Sequence, residues 1–125
     1  MIVLTGNPLS VNNLYRHVGH RVYMTSAGTA LKESWQWEAK SQWRQPVLEE
    51  PLYLDINIYF STLAKRDADN FQKLILDSLK GIVFKDDDLI QSFRVTKCLD
   101  RKKPRVEITI RPWAAELVER EALAQ

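Results

Sequence analysis

Nine consecutive residues, 52–60, alternate strictly: Leu52, Leu54, Ile56, Ile58 and Phe60 are separated by Tyr53, Asp55, Asn57 and Tyr59. In extended backbone successive side chains point to opposite faces, so the segment predicts a strand with one buried face. That face needs a covering layer, and two stretches of helical period can supply it. In residues 69–80, Phe71, Leu74, Ile75, Ser78 and Leu79 fall on one stripe and Gly81 supplies a C-terminal stop. Asp69, Lys73, Asp77 and Lys80 fall on the opposite face. A longer helix is predicted from a cap at Thr25 or Ser26 to about residue 45, where Pro46 forbids continuation. Leu31, Trp35, Ala39, Gln42 and Trp43 lie near helical spacing, so the tryptophans read as core or interface residues.

The remaining segments are shorter. Residues 2–5 read as a strand, residues 6–13 as an extended loop that avoids helix, and residues 21–24 as another strand. Residues 89–99 and 105–111 read as two strands, and the short link between them suits an antiparallel hairpin. Val106, Ile108 and Ile110 mark the buried side of the second. After Pro112, residues 113–125 predict a short exposed helical tail. With no internal repeat and no linker, the expectation is one α+β domain over residues 1–125: a small mixed β-sheet with two main helices packed against it.

Composition bounds the function. At 45% apolar and 27% charged, a 125-residue chain is neither disordered nor collagenous and can bury about two-thirds of its unfolded surface. Cys98 is alone, which forbids an internal disulfide and favours a reducing compartment. No stretch of about 18 apolar residues and no signal peptide is evident, so no membrane partner and a cytoplasmic location are expected. The net charge of +2 is too small to announce a nucleic-acid partner, but its distribution is uneven. No acid precedes Glu33, and from Lys65 to Arg105 eleven basic residues surround seven Asp gathered mainly in two short groups. Arg16, Arg21, Lys65, Arg66, Lys97, Arg101, Lys102 and Lys103 are the basic candidates for phosphate contact.

Asp67 and Asp69 are two apart at a strand-to-helix transition, where extended backbone points both the same way. Asp87 rejoins them if the chain turns back after Gly81. Carboxylates 4 Å apart repel by about 4 kcal/mol per pair at an effective dielectric of 20, so a cation must offset them. Mg²⁺ suits such a set, because it takes a few carboxylate oxygens and keeps waters and open positions for phosphate. Remote His17 and His20 with a lone Cys98 give zinc little support, and the central Gly of a calcium loop is absent. Lys73, one turn after Asp69, can add positive charge where a phosphoryl transition state gathers negative charge. The residues alone also allow a plainer reading. Asp69, Lys73 and Asp77 are spaced as surface ion pairs, and Asp86, Asp87 and Asp88 as a solvated turn.

The run Lys65-Arg66-Asp67-Ala68-Asp69-Asn70-Phe71-Gln72-Lys73, followed by Asp77-Ser78-Leu79-Lys80-Gly81 and Asp86-Asp87-Asp88-Leu89-Ile90, resembles the RusA family of Holliday junction resolvases in order and spacing. Pro8, Ser10, Asn12, Tyr15 and Arg16 are similar to that family's segment after its first strand. The resemblance covers all but the last ten or so residues. It implies a RusA-like fold and Mg²⁺-dependent nicking, with Mn²⁺ as a substitute, of two opposed strands at four-way junction DNA by a homodimer. It carries the catalytic roles onto Asp67, Asp69, Asp87 and Lys73, with the three aspartates also as metal ligands and Asp86 as a weaker one. Implied DNA contacts are Asn12, Tyr15, Arg16, Arg21, Lys65, Arg66, Asn70 and Lys97. Two alternatives stay open: a non-catalytic junction-binding protein with a structural ion, and a nuclease acting on other branched DNA.

Overall fold

The computed structural model describes residues 1–66 and 71–124, without the side chains of residues 11–12, 115–119 and 124. Asp67, Asp69 and Asn70, and the side chain of Asn12, therefore lie outside the described residues. The alternating segment forms β4 (Leu52–Phe60), whose five apolar side chains are buried. It is an inner strand of a four-stranded sheet that also holds β1 (Ile2–Thr5), β5 (Ile90–Leu99) and β6 (Arg105–Pro112), in the order β1-β6-β4-β5. The helices α2 (Ser26–Gln42) and α3 (Gln72–Leu79) contribute Trp35, Ala39, Phe71 at the α3 N-cap, Leu74, Ile75 and Leu79 to one core with the sheet's apolar face. The expected mixed sheet with two main helices is observed. At the C-terminus, α4 (Trp113–Ala124) follows directly on β6.

The predicted hairpin of the last two strands is overturned. β5 runs parallel to β4 and β6 antiparallel to it, so the two flank β4 and do not pair with each other. A link of five residues satisfies both arrangements, because it also spans the two strand spacings, about 10 Å, across the end of β4. The Asp100 N–H donates to the Phe60 carbonyl (2.8 Å), which ties that crossing to β4.

Residues 6–13 depart from the expected loop as well. One helical turn, α1 (Val11–Leu14), follows Ser10, with the Asn13 N–H donating to the Ser10 carbonyl (2.9 Å). A single turn held by local Ser and Asn bonds carries no apolar period to read. A second sheet of two strands, β2 (Tyr15–Val18) and β3 (Arg21–Met24), comes next; β2 was not foreseen, because both faces of this ribbon are largely exposed. Thr25 caps α2 by accepting from the Gly28 N–H (3.1 Å). Gly28 leaves room for the chain: a Cβ there would lie 3.2 Å from the Leu14 carbonyl oxygen and 3.1 Å from the Met24 side chain.

Helix α2 ends three residues before the expected limit, and its last turns close the edge of β1. The Gln42 side-chain amide accepts from the Val3 N–H (2.8 Å) and donates to the Val3 carbonyl (2.7 Å), as a neighbouring strand would. One turn earlier, the Glu38 carboxylate accepts from the Thr5 N–H (3.0 Å) and hydroxyl (2.7 Å). These bonds protect an edge that would otherwise template pairing with other chains.

Candidate active site

Helix α3 stops where Gly81 takes φ +80°, a conformation favourable to glycine, and its N–H donates to the Phe84 carbonyl (2.8 Å). Val83 and Phe84 are fully buried. Leu48 clamps the same turn, donating to the Val83 carbonyl (2.9 Å) and accepting from the Lys85 N–H (3.0 Å). Apolar burial thus fixes the turn, and the chain leaves it beside the polar face of α3. Asp87–Leu89 then form one 3-10 turn, capped by the Asp86 carboxylate, which accepts from the Asp87 N–H (2.7 Å).

This return brings Asp87 to Asp77, Lys73 and Lys80, whose charges all act on it. Burial, then the Asp77 charge, pushes the Asp87 carboxyl above its ordinary value, and Lys80 and Lys73 oppose the shift only in part. Its Oδ1 is buried and has no hydrogen-bond partner among the described residues. Asp86 differs: the Asp87 N–H, then Lys80 at 3.4 Å, hold its carboxyl below the usual range. Asp88 is exposed, in a shallow cleft with Glu49 and Lys85. Asp86 thus meets the end of α3 at Lys80, and Asp87 lies where Asp77 and Lys73 of α3 act on it.

The Lys73 ammonium lies 3.6 Å from the Asp77 carboxylate and 5.9 Å from the centre of the Tyr15 ring. Asp77, then Tyr15, raises its pKa, so Lys73 remains a cation at neutral pH. Tyr15, Lys73 and Asp87 are thereby brought into one region. Asp77 and Lys80 belong to it too, although spacing alone reads Asp77 as a surface ion pair. The available signal was the Gly81 stop followed by apolar Ile82, Val83 and Phe84, which must turn inward and so return the next acids to α3.

The loop leading to residue 67 is built from β4. Phe60 meets Phe71 edge-on, with ring centres 5.1 Å apart, so the ends of the 61–70 segment are held together. The Asn7 side chain bonds Ser61, accepting from its N–H (3.1 Å). Arg66 turns inward over the Phe60 ring (4.3 Å) and donates to the Thr62 carbonyl (3.0 Å), the Thr62 hydroxyl (2.8 Å) and the Ala64 carbonyl (3.2 Å). Lys65, Arg66 and Lys97 line a cleft of about 380 Å³ over Phe60 and Leu99. Arg16 and Arg21 are exposed on the β2–β3 ribbon, where Arg21 donates to the Tyr23 hydroxyl (3.4 Å).

Among the described residues no group of three or more His, Cys, Asp or Glu side chains is placed to hold a metal ion. The described acids offer carboxylate oxygens, one of them buried without a donor, and that chemistry fits a hard divalent cation. An α+β domain carrying a half-buried acidic pair beside Lys73, whose ammonium stays charged, has the make-up of a phosphodiester-cleaving enzyme. Comparison with known proteins makes this specific. The family model described as Endodeoxyribonuclease RusA matches residues 5–111. The chain is 31% identical over 104 residues to crossover junction endodeoxyribonuclease RusA of Escherichia coli strain K12, covering 82% of this chain and 87% of the relative. It is 29% identical over 114 residues to the protein of that name from Aquifex aeolicus, covering 90% of each. The chain belongs to the RusA family of endodeoxyribonucleases, as its motifs led us to expect. Among the described residues no helix is long and apolar enough to cross a membrane.

Proposed function

We propose that the protein is a Mg²⁺-dependent, structure-specific endodeoxyribonuclease that resolves Holliday junctions by paired nicking of opposed strands, in the cytoplasm, during DNA recombination and repair. The observation that carries this is Asp87: a half-buried carboxylate with an oxygen unpartnered among the described residues, beside Asp77, in a family whose relatives are named crossover junction endodeoxyribonucleases. Asp67, Asp69 and Asp87 would hold the cation, and Mn²⁺ would substitute for Mg²⁺. When bound, the ion supplies charge to the scissile phosphate and acidity to an attacking water. Lys73 places an ammonium, kept protonated by Asp77 and Tyr15, where the phosphate gathers negative charge. A four-way junction has approximate two-fold symmetry, so an isologous homodimer would present two such sites to two equivalent strands. Arg16, Arg21, Lys65 and Tyr15, with Asn12 and Asn70, would position the DNA backbone.

The test is a synthetic four-way junction with protein and Mg²⁺. Wild type should give paired, symmetric nicks, while Asp69→Asn should bind the junction and fail to cut; equal cutting by both rejects the assignment. Binding that survives chelator with no product at any Mg²⁺ or Mn²⁺ concentration would instead identify a junction-binding protein. Faster cutting of forks or flaps would identify a nuclease of other branched DNA.

A further inference from the structure

Strand β5 carries one residue that breaks its pattern. Phe93, Val95, Lys97 and Leu99 pair in register with Leu54, Ile56, Ile58 and Phe60 of β4, so all four lie on the sheet's apolar face. Three of them are apolar, and Lys97 is not. Lys97 is exposed at this edge of the sheet, so its ammonium stays in reach of water while its stem carries it to a partner. Here the partner is the backbone: the Lys97 ammonium donates to the Arg66 carbonyl at 2.5 Å, across 31 residues of sequence. Arg66 immediately precedes Asp67. Among the described residues the other hydrogen bonds of this loop run within it, from Arg66 to Thr62 and Ala64, or tie its first residue, Ser61, to Asn7. Lys97 ties the backbone of the last residue before the acids to β5, beside the stacking of the Arg66 side chain on Phe60 of β4.

We propose that Lys97 is a positioning residue: by holding the Arg66 carbonyl to β5, it anchors the residue that precedes Asp67 in sequence and so sets how tightly the proposed site takes its cation. The reading of Lys97 as a DNA contact gives way to one in which it acts through the loop. This inference rests on the proposed role of Asp67 and Asp69 as metal ligands.

The experiment compares wild type, Lys97→Met, which keeps the stem and loses the donor, and Lys97→Arg, which restores a donor. Three readouts are taken on the full chain: amide hydrogen exchange without metal, Mn²⁺ binding, and junction binding and cutting across Mg²⁺ concentrations. Lys97→Met should speed exchange at residues 62–66 about tenfold and leave β4 unchanged. It should weaken Mn²⁺ binding and raise the half-saturating Mg²⁺ by about tenfold, the lower end of what loss of a ligand-orienting group costs. Junction affinity in chelator should stay within twofold, and Lys97→Arg should recover most of the metal response. Unchanged exchange, or faster exchange with an unchanged metal response, overturns the proposal. So does a loss of junction affinity with a salt slope shallower by about one, the mark of a phosphate contact. A wild type that binds Mn²⁺ yet cuts no junction refutes the proposed function alone, since exchange and Mn²⁺ binding still decide the role of Lys97.

Discussion

Replacing Asp87 by Asn should stabilise the metal-free protein. Asp87 has a buried Oδ1 without a donor among the described residues and feels the like charge of Asp77, and both disfavour the ionised carboxyl in the folded state. An Asn keeps a polar oxygen there, so what the substitution removes is the charge: the Asp77 repulsion and the extra desolvation cost of a carboxylate, on the order of 1–3 kcal/mol together. Asp87 is only partly buried, and Lys80 and Lys73 offset some of the repulsion, so the lower end applies after solvent screening, about 1 kcal/mol. For a chain of this size that corresponds to a melting temperature roughly 3–6 °C higher for the Asn variant.

The pH dependence follows from the direction of the shift. A carboxyl whose folded pKa is raised binds its proton more tightly in the folded state. The contribution of Asp87 to wild-type stability is therefore greatest below the unfolded value, about pH 4, and falls as pH rises through the folded value. Scanning calorimetry in EDTA should thus show the variant ahead at pH 7.5 and level with wild type near pH 4. Adding Mg²⁺ should reverse the order at pH 7.5, since a ligand at 100 times its Kd stabilises the form that binds it by about 2.7 kcal/mol. A variant that melts lower than wild type in EDTA at pH 7.5 would refute the reasoning, because it would mean that the Asp87 carboxylate is satisfied where it lies.

Trp35 is fully buried, and its indole N–H donates to the Thr5 carbonyl at 2.8 Å. Urea titration should show Trp35→Ala losing about 3–5 kcal/mol and Trp35→Phe, which mainly orphans that carbonyl, about 1–3 kcal/mol. On the other sheet face, Arg105 bonds Asp100 (2.7 Å) and Glu107 (3.0 Å) and stacks over the Tyr59 ring (3.9 Å). Arg105, then the Lys103 and Lys102 N–H groups, holds the Asp100 carboxyl below its usual value. That stabilisation is present above about pH 4 and is lost as pH falls through the lower folded value. The melting-temperature deficit of Arg105→Met should therefore be larger at pH 7 than near pH 2, and an equal deficit at both would contradict the assignment.

The parts of the fold that were legible in the sequence are those whose burial is periodic. The stripe Phe71, Leu74, Ile75, Ser78 and Leu79 is buried as its spacing demands, and so are the alternate residues of β4. Periodicity says which face is inside but nothing about which edge meets which strand, so it could not show β4 inserted between β5 and β6. Strand β2 and the single turn of α1 bury too little to leave a pattern. The site divides in the same way. The acid spacing pointed to Asp87 and Lys73, and the structure brings Asp87 to α3. Asp77 was hidden because an i, i+4 pair with Lys73 looks the same on a bare surface as it does beside a returning loop.

The two sources of the proposed ligands are held by different physics. Asp87 follows a turn whose Val83 and Phe84 are fully buried, so moving it means exposing core. The stretch that leads to Asp67 is held by polar bonds of exposed groups, chiefly those of Arg66 and Lys97. Such bonds are each worth about a kilocalorie or so and break locally without unfolding the sheet. In a site assembled from both, the turn bearing Asp87 is the fixed half and the 61–66 loop the adjustable one. Variants in the loop should then act on metal affinity with little effect on global stability, and variants at Val83 or Phe84 on both together. Equal losses of global stability from the two sets would show that the loop belongs to the same cooperative unit as the core, and the division would not stand.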